Sequence, residues 1–431
     1  MKIKNIFVSA IAGVSLLAFV GAASAGTTIY QTGTSQPTMP TADINVWGSS
    51  AQFTYWKREA PNYLTAAGCT LGVAGTTTDN KNFVQQANCG GTTVNFRVSS
   101  KASYDGPLAI DGNTTNPFAS NTTCSSPYDR PMADPSTCSG GVCTSAALCV
   151  PVTIGASDVL LQDFTQHSTG TLNGPLGGAS EVHNFIIDPI VVSSNVVNLC
   201  RPLAIPFSFY VNNSVVTSAS TTLTNISTAA AKMIFSGAVK DWSDLPGIAT
   251  GGTGTTVLSM PPMPINVCFR AAGSGTHATL AAFMTPQTLL ATQVSGGTGW
   301  HAWFNDGSAD MMNCVNGSGS WSGTGAVGYA DVDQNLANYP NSTRLSLDNQ
   351  IPYTPLTQTW TNPFMTVENV YVSEANSTNP LYLDICTYSD QPSTVELNNI
   401  YWAATCHMQY LKQSNFGAWS LNTQYQNSNC N

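Results

Sequence analysis

The sequence is poor in charge. Only 9% of its residues are Asp, Glu, Lys or Arg, where roughly 25% is usual for a soluble domain. Ser, Thr, Asn and Gly fill the gap, a surface common on proteins exposed outside the cell. Positive charge is the scarcer sign, 14 basic residues against 23 acidic ones. That balance argues against a nucleic-acid partner or an acidic membrane surface, both of which are held by excess positive charge. A small anion is not excluded, because local donors bind it rather than net charge. No stretch beyond the N-terminus approaches the roughly 20 apolar residues of a membrane span. The histidines His167, His183, His277, His301 and His407 are scattered, and none sits in a nucleophile motif. The Gly-x-Ser-x-Gly elbow is also missing, and Gly273-Ser274-Gly275 supplies only half of it.

The chain begins with the marks of a secretory leader over residues 1–25. Lys2 and Lys4 precede an apolar core from Val8 to Val20, and Ala23-Ser24-Ala25 is a small-residue cleavage site. No cysteine follows that site, which argues against a lipid anchor. Cleavage lowers the basic count to 12 against 23 acidic residues, a net charge of −11. The expected location is periplasmic or extracellular. All twelve cysteines lie beyond the leader, and an even count in an exported chain reads as disulfides. Local pairs are expected: Cys69–Cys89, pairs within the group Cys124, Cys138, Cys143 and Cys149, and Cys268–Cys314. A metal cluster in that group is the alternative, with no close cysteine pair and neighbouring histidine to support it.

Strand-like and helix-like runs alternate along the chain. After a Thr/Gln/Pro-rich stretch at 26–41, Asp43 to Trp47 reads as a strand and Gln52 opens a helix to about Ala67. Val94 to Val98 is a strand followed by a Ser/Gly turn, and Val152 to Val159 is a strand ending in Ser-Asp. Residues 112–150 break the pattern and read as a disulfide-held insertion. Thr224 to Ser227 caps a helix closed by Gly237. Pro363 to Val372 is a late strand, and Glu396 to Leu411 a last helix. This is an α/β chain with mixed, mostly parallel sheets. It is too long for one core, so two lobes are expected. They are residues 42–188 with 365–431, carrying the 112–150 insertion, and residues 189–364.

The stretch Cys268-Phe269-Arg270-Ala271-Ala272-Gly273-Ser274-Gly275-Thr276-His277 stands out. A strand, a glycine turn and a helix start gather an anion, because the first helical turn has unpaired N–H groups and the helix dipole favours negative charge there. Ser274 and Thr276 add hydroxyls, and Arg270 adds a planar fork. An ordinary strand–turn–helix corner with a surface arginine carries the same residues.

Six segments in order resemble the periplasmic phosphate-binding proteins that feed bacterial phosphate ABC importers. They are Gly48-Ser49-Ser50-Ala51-Gln52-Phe53, Ala102-Ser103-Tyr104-Asp105-Gly106, Ile154-Gly155-Ala156-Ser157-Asp158, Met233 to Trp242, Arg270 to Thr276, and Gly325-Ala326-Val327-Gly328-Tyr329. The resemblance implies a two-lobed clamp of the type II periplasmic-binding-protein fold, with an anion held between the lobes. It implies Arg270 as the cationic fork and Ser274, Gly275 and Thr276 as helix-start donors. Ser103 gives a hydroxyl from the opposite lobe, Phe53 a backbone N–H, and Gln52 stands where the family has a threonine. Asp158 accepts the hydrogen of hydrogen phosphate and so rejects fully ionised sulfate. The family's acidic residue after the arginine is here Ala272. An ABC permease is the implied partner, and no cofactor, metal or catalytic residue is implied. An adhesive or structural extracellular protein on the same fold, and a phosphate-ester hydrolase using His277, are the other readings. Trp300, Trp303 and Trp321 bear on glycan binding if exposed and on packing if buried.

Overall fold

The computed structural model describes residues 37–113, 123–164, 167–171, 182–186, 192–200, 204–245, 248–249, 257–258, 260–284, 289–290, 299–332, 334–349, 364–390, 411–413 and 419–421. The leader expected over residues 1–25, Cys406, Cys430 and the helix expected over 396–410 lie outside the described residues, and Leu411 opens a strand instead.

Strand Ile44–Ser49 is buried along its whole length because parallel neighbours cover both edges. Thr92–Lys101 lies on one side and Ile154–Ser157 on the other, the usual setting for a strand apolar on both faces. Gly48, at φ +129°, turns this strand into helix α1 (Ser50–Ala66), and a Cβ there would stand 2.1 Å from the Ala156 carbonyl oxygen. Ser49 caps the helix, its Oγ accepting the Gln52 N–H at 3.0 Å. Helix α1 then buries Tyr55, Trp56, Tyr63 and Leu64. Trp56 and Tyr63 pack on Phe96 of the sheet, and each large apolar side chain so buried contributes about 1.5–3 kcal/mol.

The full order of this nine-stranded sheet is Val196–Cys200, Asn369–Ser373, Ile154–Ser157, Ile44–Ser49, Thr92–Lys101, Asn82–Cys89, Thr70–Thr77, Gly141–Cys143 and Cys138–Ser139. Its centre is parallel, while the hairpin Thr70–Thr77/Asn82–Cys89 and strand Asn369–Ser373 add antiparallel edges. Short turns favour such edges, whereas each parallel neighbour needs a crossover.

The second sheet runs His301–Asn305, Asn266–Arg270, Ala326–Asp331, Ala204–Asn212, Leu411–Gln413 and Trp419–Leu421. Ser342–Arg344 and Met365–Val367 also pair with Ala204–Asn212. Here the parallel pairs lie at one end of the order, on either side of Asn266–Arg270. The chain passes from the first sheet to the second between Cys200 and Ala204 and returns between Val367 and Asn369. The late strand read as continuous is therefore two strands in two sheets, broken at Glu368. Helix α2 (Asp105–Asp111) follows the Ser103 turn of the first sheet. Helix α3 (Thr228–Phe235) belongs to the second sheet's core, capped by Ser227 Oγ on the Ala230 N–H at 3.1 Å and ended by Gly237 at φ +72°. Trp303 is buried, while Trp300 and Trp321 are half-buried.

Disulfides join Cys69–Cys89, Cys124–Cys149, Cys138–Cys143 and Cys268–Cys314. The four close cysteines are therefore sulfur-paired, and the metal-cluster alternative falls. A fifth bridge, Cys200–Cys386, spans 186 residues and ties the first sheet's edge strand to helix α6 (Pro380–Asp390), a pairing that spacing alone could not give. The insertion packs as part of the fold. Its Arg130 is fully buried, with Nη2 3.4 Å from Asp105 Oδ1 at the start of helix α2, and Trp47 Nε1 donates to Asp105 Oδ2 at 2.7 Å.

Candidate anion site between the sheets

The C-terminal ends of the central strands of both sheets meet. On one side, strand Asn266–Arg270 ends in Arg270, and the turn 271–274 leads into helix α4 (Gly275–Met284). Gly273 takes φ +93° there, and Ser274 Oγ accepts the His277 N–H at 3.3 Å. On the other side stand Ser49 and Ser50 at the start of α1, Ser103 before α2, and Asp158 after strand Ile154–Ser157. The two walls touch. The Tyr104 N–H donates to the Gly273 carbonyl at 3.0 Å. The Gly275 N–H donates to Ser103 Oγ at 3.2 Å, and Arg270 Nη2 donates to Ser50 Oγ at 3.4 Å. Around these bonds Tyr104, Leu108, Val159 and Phe164 pack against Ala271, Ala272 and Ala278 in a buried apolar seam. Ala272 is thus the apolar half of an interlobe contact, which explains why the acidic residue expected after the arginine is absent here.

Arg270 is buried and held on three sides. Nη1 donates to Ser308 Oγ at 3.0 Å and Nη2 to the Asp306 carbonyl at 2.9 Å. Ser308, the first residue of helix α5 (Ser308–Asn316), donates onward to Asp331 Oδ1 at 2.8 Å. Asp331 thereby orients the guanidinium through a hydroxyl rather than by direct pairing. Among the described residues, Arg270 Nε is buried without a hydrogen-bond partner, as is Thr276 Oγ1. Two donors in one buried wall with nothing to bind are costly unless something meets them. The Arg270 backbone N–H donates to Tyr329 Oη at 2.9 Å, and that hydroxyl lies 2.6 Å from His277 Nδ1. The Tyr329 proton then goes to Nδ1, which leaves the His277 hydrogen on Nε2. Burial, with Arg270 nearby, lowers the His277 pKa to about 3, so it is neutral and supports Arg270 from behind. His277 is buried and not exposed on the surface of helix α4.

Asp158 is buried too. Ser49 Oγ donates to its Oδ1, and the Ser103 hydroxyl also bonds it. Burial raises its pKa, and Ser49, Ser103, Glu368 and Arg270 pull it back. Glu368 lies against Asp158, fully buried, and its pKa is raised well above the usual value by burial and then by Asp158.

Six of the eight residues singled out in the sequence come together: Ser103, Asp158, Arg270, Ser274, Gly275 and Thr276. Gln52 and Phe53 stand one step deeper. The Gln52 amide donates to the Ser157 and Asn369 carbonyls at 3.3 Å each and accepts from Trp56 Nε1 at 2.7 Å. The Phe53 ring lies in the core beneath Lys57. With Ser49 as cap, the Phe53 N–H is the first that the helix itself satisfies, so the open N–H groups of α1 are those of Ser50 and Ala51. Sequence reasoning missed Ser49, Ser50, Ser308, Asp331 and Glu368. A cap reading of Gly48-Ser49-Ser50 points to the first two. Glu368 had one signal, a lone acid inside an apolar run.

Lys81, in the turn between Thr70–Thr77 and Asn82–Cys89, crosses to the second wall, its Nζ lying 3.5 Å from Asp310 and 3.9 Å from Asp306. Among the described residues no cluster of His, Cys, Asp or Glu fits a metal ion, and no helix is long and apolar enough to cross a membrane.

Solved structures similar to this chain include a putative phosphate ABC transporter substrate-binding protein with bound phosphate from Clostridium perfringens. Identity to it is 11%, over 80% of this chain and 91% of that one, with a TM-score of 0.43. A phosphate-binding protein from Stenotrophomonas maltophilia is 13% identical over 80% of this chain and 83% of its own, with a TM-score of 0.38. An ancestral soluble variant of the human phosphate-binding protein is 15% identical over 84% and 85%, also with a TM-score of 0.38. Among curated proteins none matches significantly. Residues 185–396 match the family model described as a PBP superfamily domain. That span, a little under half of the chain, contains Arg270 and the start of helix α4.

Proposed function

We propose that this chain is an exported solute-binding protein that holds hydrogen phosphate, or a closely similar tetrahedral oxyanion, between its two sheets and delivers it to an ABC-type permease. One observation carries the reading. A buried guanidinium with an unpaired Nε, a helix start with an unpaired threonine hydroxyl, and a buried carboxylate converge where the two walls touch. The arginine and the helix start supply positive potential. The carboxylate repels any anion without a hydrogen to give it, which favours hydrogen phosphate and arsenate over sulfate. The order of the six sequence segments supports the same ligand class. No base–nucleophile pair supports hydrolysis, since His277 Nδ1 is taken by Tyr329.

Calorimetric titration of the oxidised, leader-free protein with phosphate, arsenate and sulfate tests this. Phosphate and arsenate bind and sulfate does not, and Asp158→Asn admits sulfate. If no oxyanion binds, the reading fails and the adhesive one gains.

A further inference from the structure

Glu368 belongs to no part of the site read from the sequence, and its placement is unusual. It occupies the single position between strand Met365–Val367 of the second sheet and strand Asn369–Ser373 of the first. The neighbours on each side fix it against Asp158. Thr366 Oγ1 donates to the Asp158 carbonyl, and Asn369 is in register with Ser157. The side chain is fully buried, and neither carboxyl oxygen receives a hydrogen bond among the described residues. The Gln52 amide, which donates to the Ser157 and Asn369 carbonyls at 3.3 Å each, is the one donor among the described residues near enough to favour the ionised form, and burial and Asp158 outweigh it.

The charged groups acting on this position are Asp158 and Asp331, both acidic, with Arg270 acting on Asp158. Arg270 thus serves two carboxylates, Asp158 and, through Ser308, Asp331. A third ionised carboxylate, with only the shared Gln52 amide to hold it, is the least favourable state this environment offers. A carboxyl that keeps its hydrogen becomes a donor, and the acceptor against it is Asp158.

We propose that Glu368 is a positioning residue of the anion site: it carries a hydrogen at neutral pH, gives it to Asp158, and keeps the carboxyl pair at a single negative charge. A carboxylate has about four acceptor positions. Ser49, Ser103 and Glu368 fill three around Asp158, which leaves one for a hydrogen on the ligand. The hydrogen therefore does two things. It orients Asp158, and it prevents a second negative charge from expelling the anion. Because Glu368 sits where the chain changes sheets, the same bond couples the strand crossover to the site. The pair itself stands without a ligand, while its effect on affinity rests on the oxyanion reading above.

The chain has only five glutamates, Glu59, Glu181, Glu368, Glu374 and Glu396, so carbon-13 labelling at the glutamate carboxyl gives five resolvable titrations. One resonance is expected at the protonated position at pH 7, absent from Glu368→Gln and titrating at lower pH in Asp158→Asn, where burial still holds it above the ordinary range. If Glu368→Gln does not fold, Asp158→Asn alone makes the assignment. All five resonances at ionised positions at pH 7 would overturn the proposal, as would an anomalous resonance unmoved by either variant. In parallel, phosphate affinity of the native chain is expected to fall at least tenfold as pH rises through that titration, and Glu368→Gln to abolish the fall. A protonated Glu368 in a protein that binds no oxyanion sinks the oxyanion reading and leaves the pair. Phosphate binding with all five glutamates ionised sinks the pair and leaves the reading.

Discussion

Gly275 lies directly against Asp158: a Cβ built on Gly275 would stand 2.5 Å from the Asp158 Cβ and 2.7 Å from Ser103 Oγ. The helix start of one wall is seated on the carboxylate of the other, with no room for a methyl group. Asp158 Cβ is one bond from the backbone and cannot swing aside. Gly275→Ala is therefore expected to hold the walls apart. An overpacking cost of about 1–3 kcal/mol corresponds to roughly a 5- to 150-fold loss of phosphate affinity, with little change in the stability of either sheet. Calorimetry beside thermal unfolding checks it, and unchanged affinity contradicts the closed arrangement.

Arg270 makes its contacts through a fork. Nη1 reaches Ser308, Nη2 reaches the Asp306 carbonyl and Ser50, and Nε is unspent. Arg270→Lys keeps the charge but loses the planar fork that reaches Ser308, Asp306 and Ser50 while leaving Nε for the ligand. It is expected to bind phosphate at least tenfold more weakly, and Arg270→Ala to show no measurable binding. Equal affinity in the lysine variant would mean that charge alone holds the ligand.

Ala272 is buried in the seam with Tyr104, Leu108 and Phe164. Ala272→Asp puts the acidic residue of the resembling family back into a position that is apolar here. The expected result is at least tenfold weaker binding, because closing the walls now buries a carboxylate among apolar side chains. Retained affinity would show that the new carboxylate reaches Arg270 instead.

His277 gives a pH signature. Its folded pKa, about 3, lies below the ordinary 6.5, so the unfolded chain takes up a proton that the folded chain refuses. The stability from this neutral histidine is complete above pH 6.5 and is lost as pH falls toward 3. Between pH 6.5 and 5 the slope approaches one proton, about 1.4 kcal/mol per pH unit. Denaturant unfolding of the native chain and of His277→Gln should differ by that slope in that window. Parallel curves would mean that His277 titrates normally.

Much of this was legible because local rules and local geometry agree. The strand–turn–helix around Arg270 was readable from its glycines. The cap of helix α3 was readable from Ser227 and Gly237, and three disulfide regions from short spacings. The missing parts depend on distant segments. Cys200 meets Cys386 only once strand Val196–Cys200 joins the edge of the first sheet. Ser308 reaches Arg270 from helix α5, and Asp331 acts through it from strand Ala326–Asp331. Glu368 reaches Asp158 only because the chain changes sheets at that residue. Gln52 and Phe53, aligned to the family motif by residue type, stand deeper than the open end of the helix. The register of helix α1 is fixed by its cap, Ser49, and puts Ser50 and Ala51 at the open end.

The most direct measurement is a crystal structure grown with arsenate, whose anomalous scattering locates the ion without ambiguity. The expected result is one tetrahedral ion between the walls, within hydrogen-bond distance of Arg270 Nε, Thr276 Oγ1 and one oxygen of Asp158. An ion bound elsewhere, or no ion at concentrations that saturate the calorimetric signal, would contradict the account.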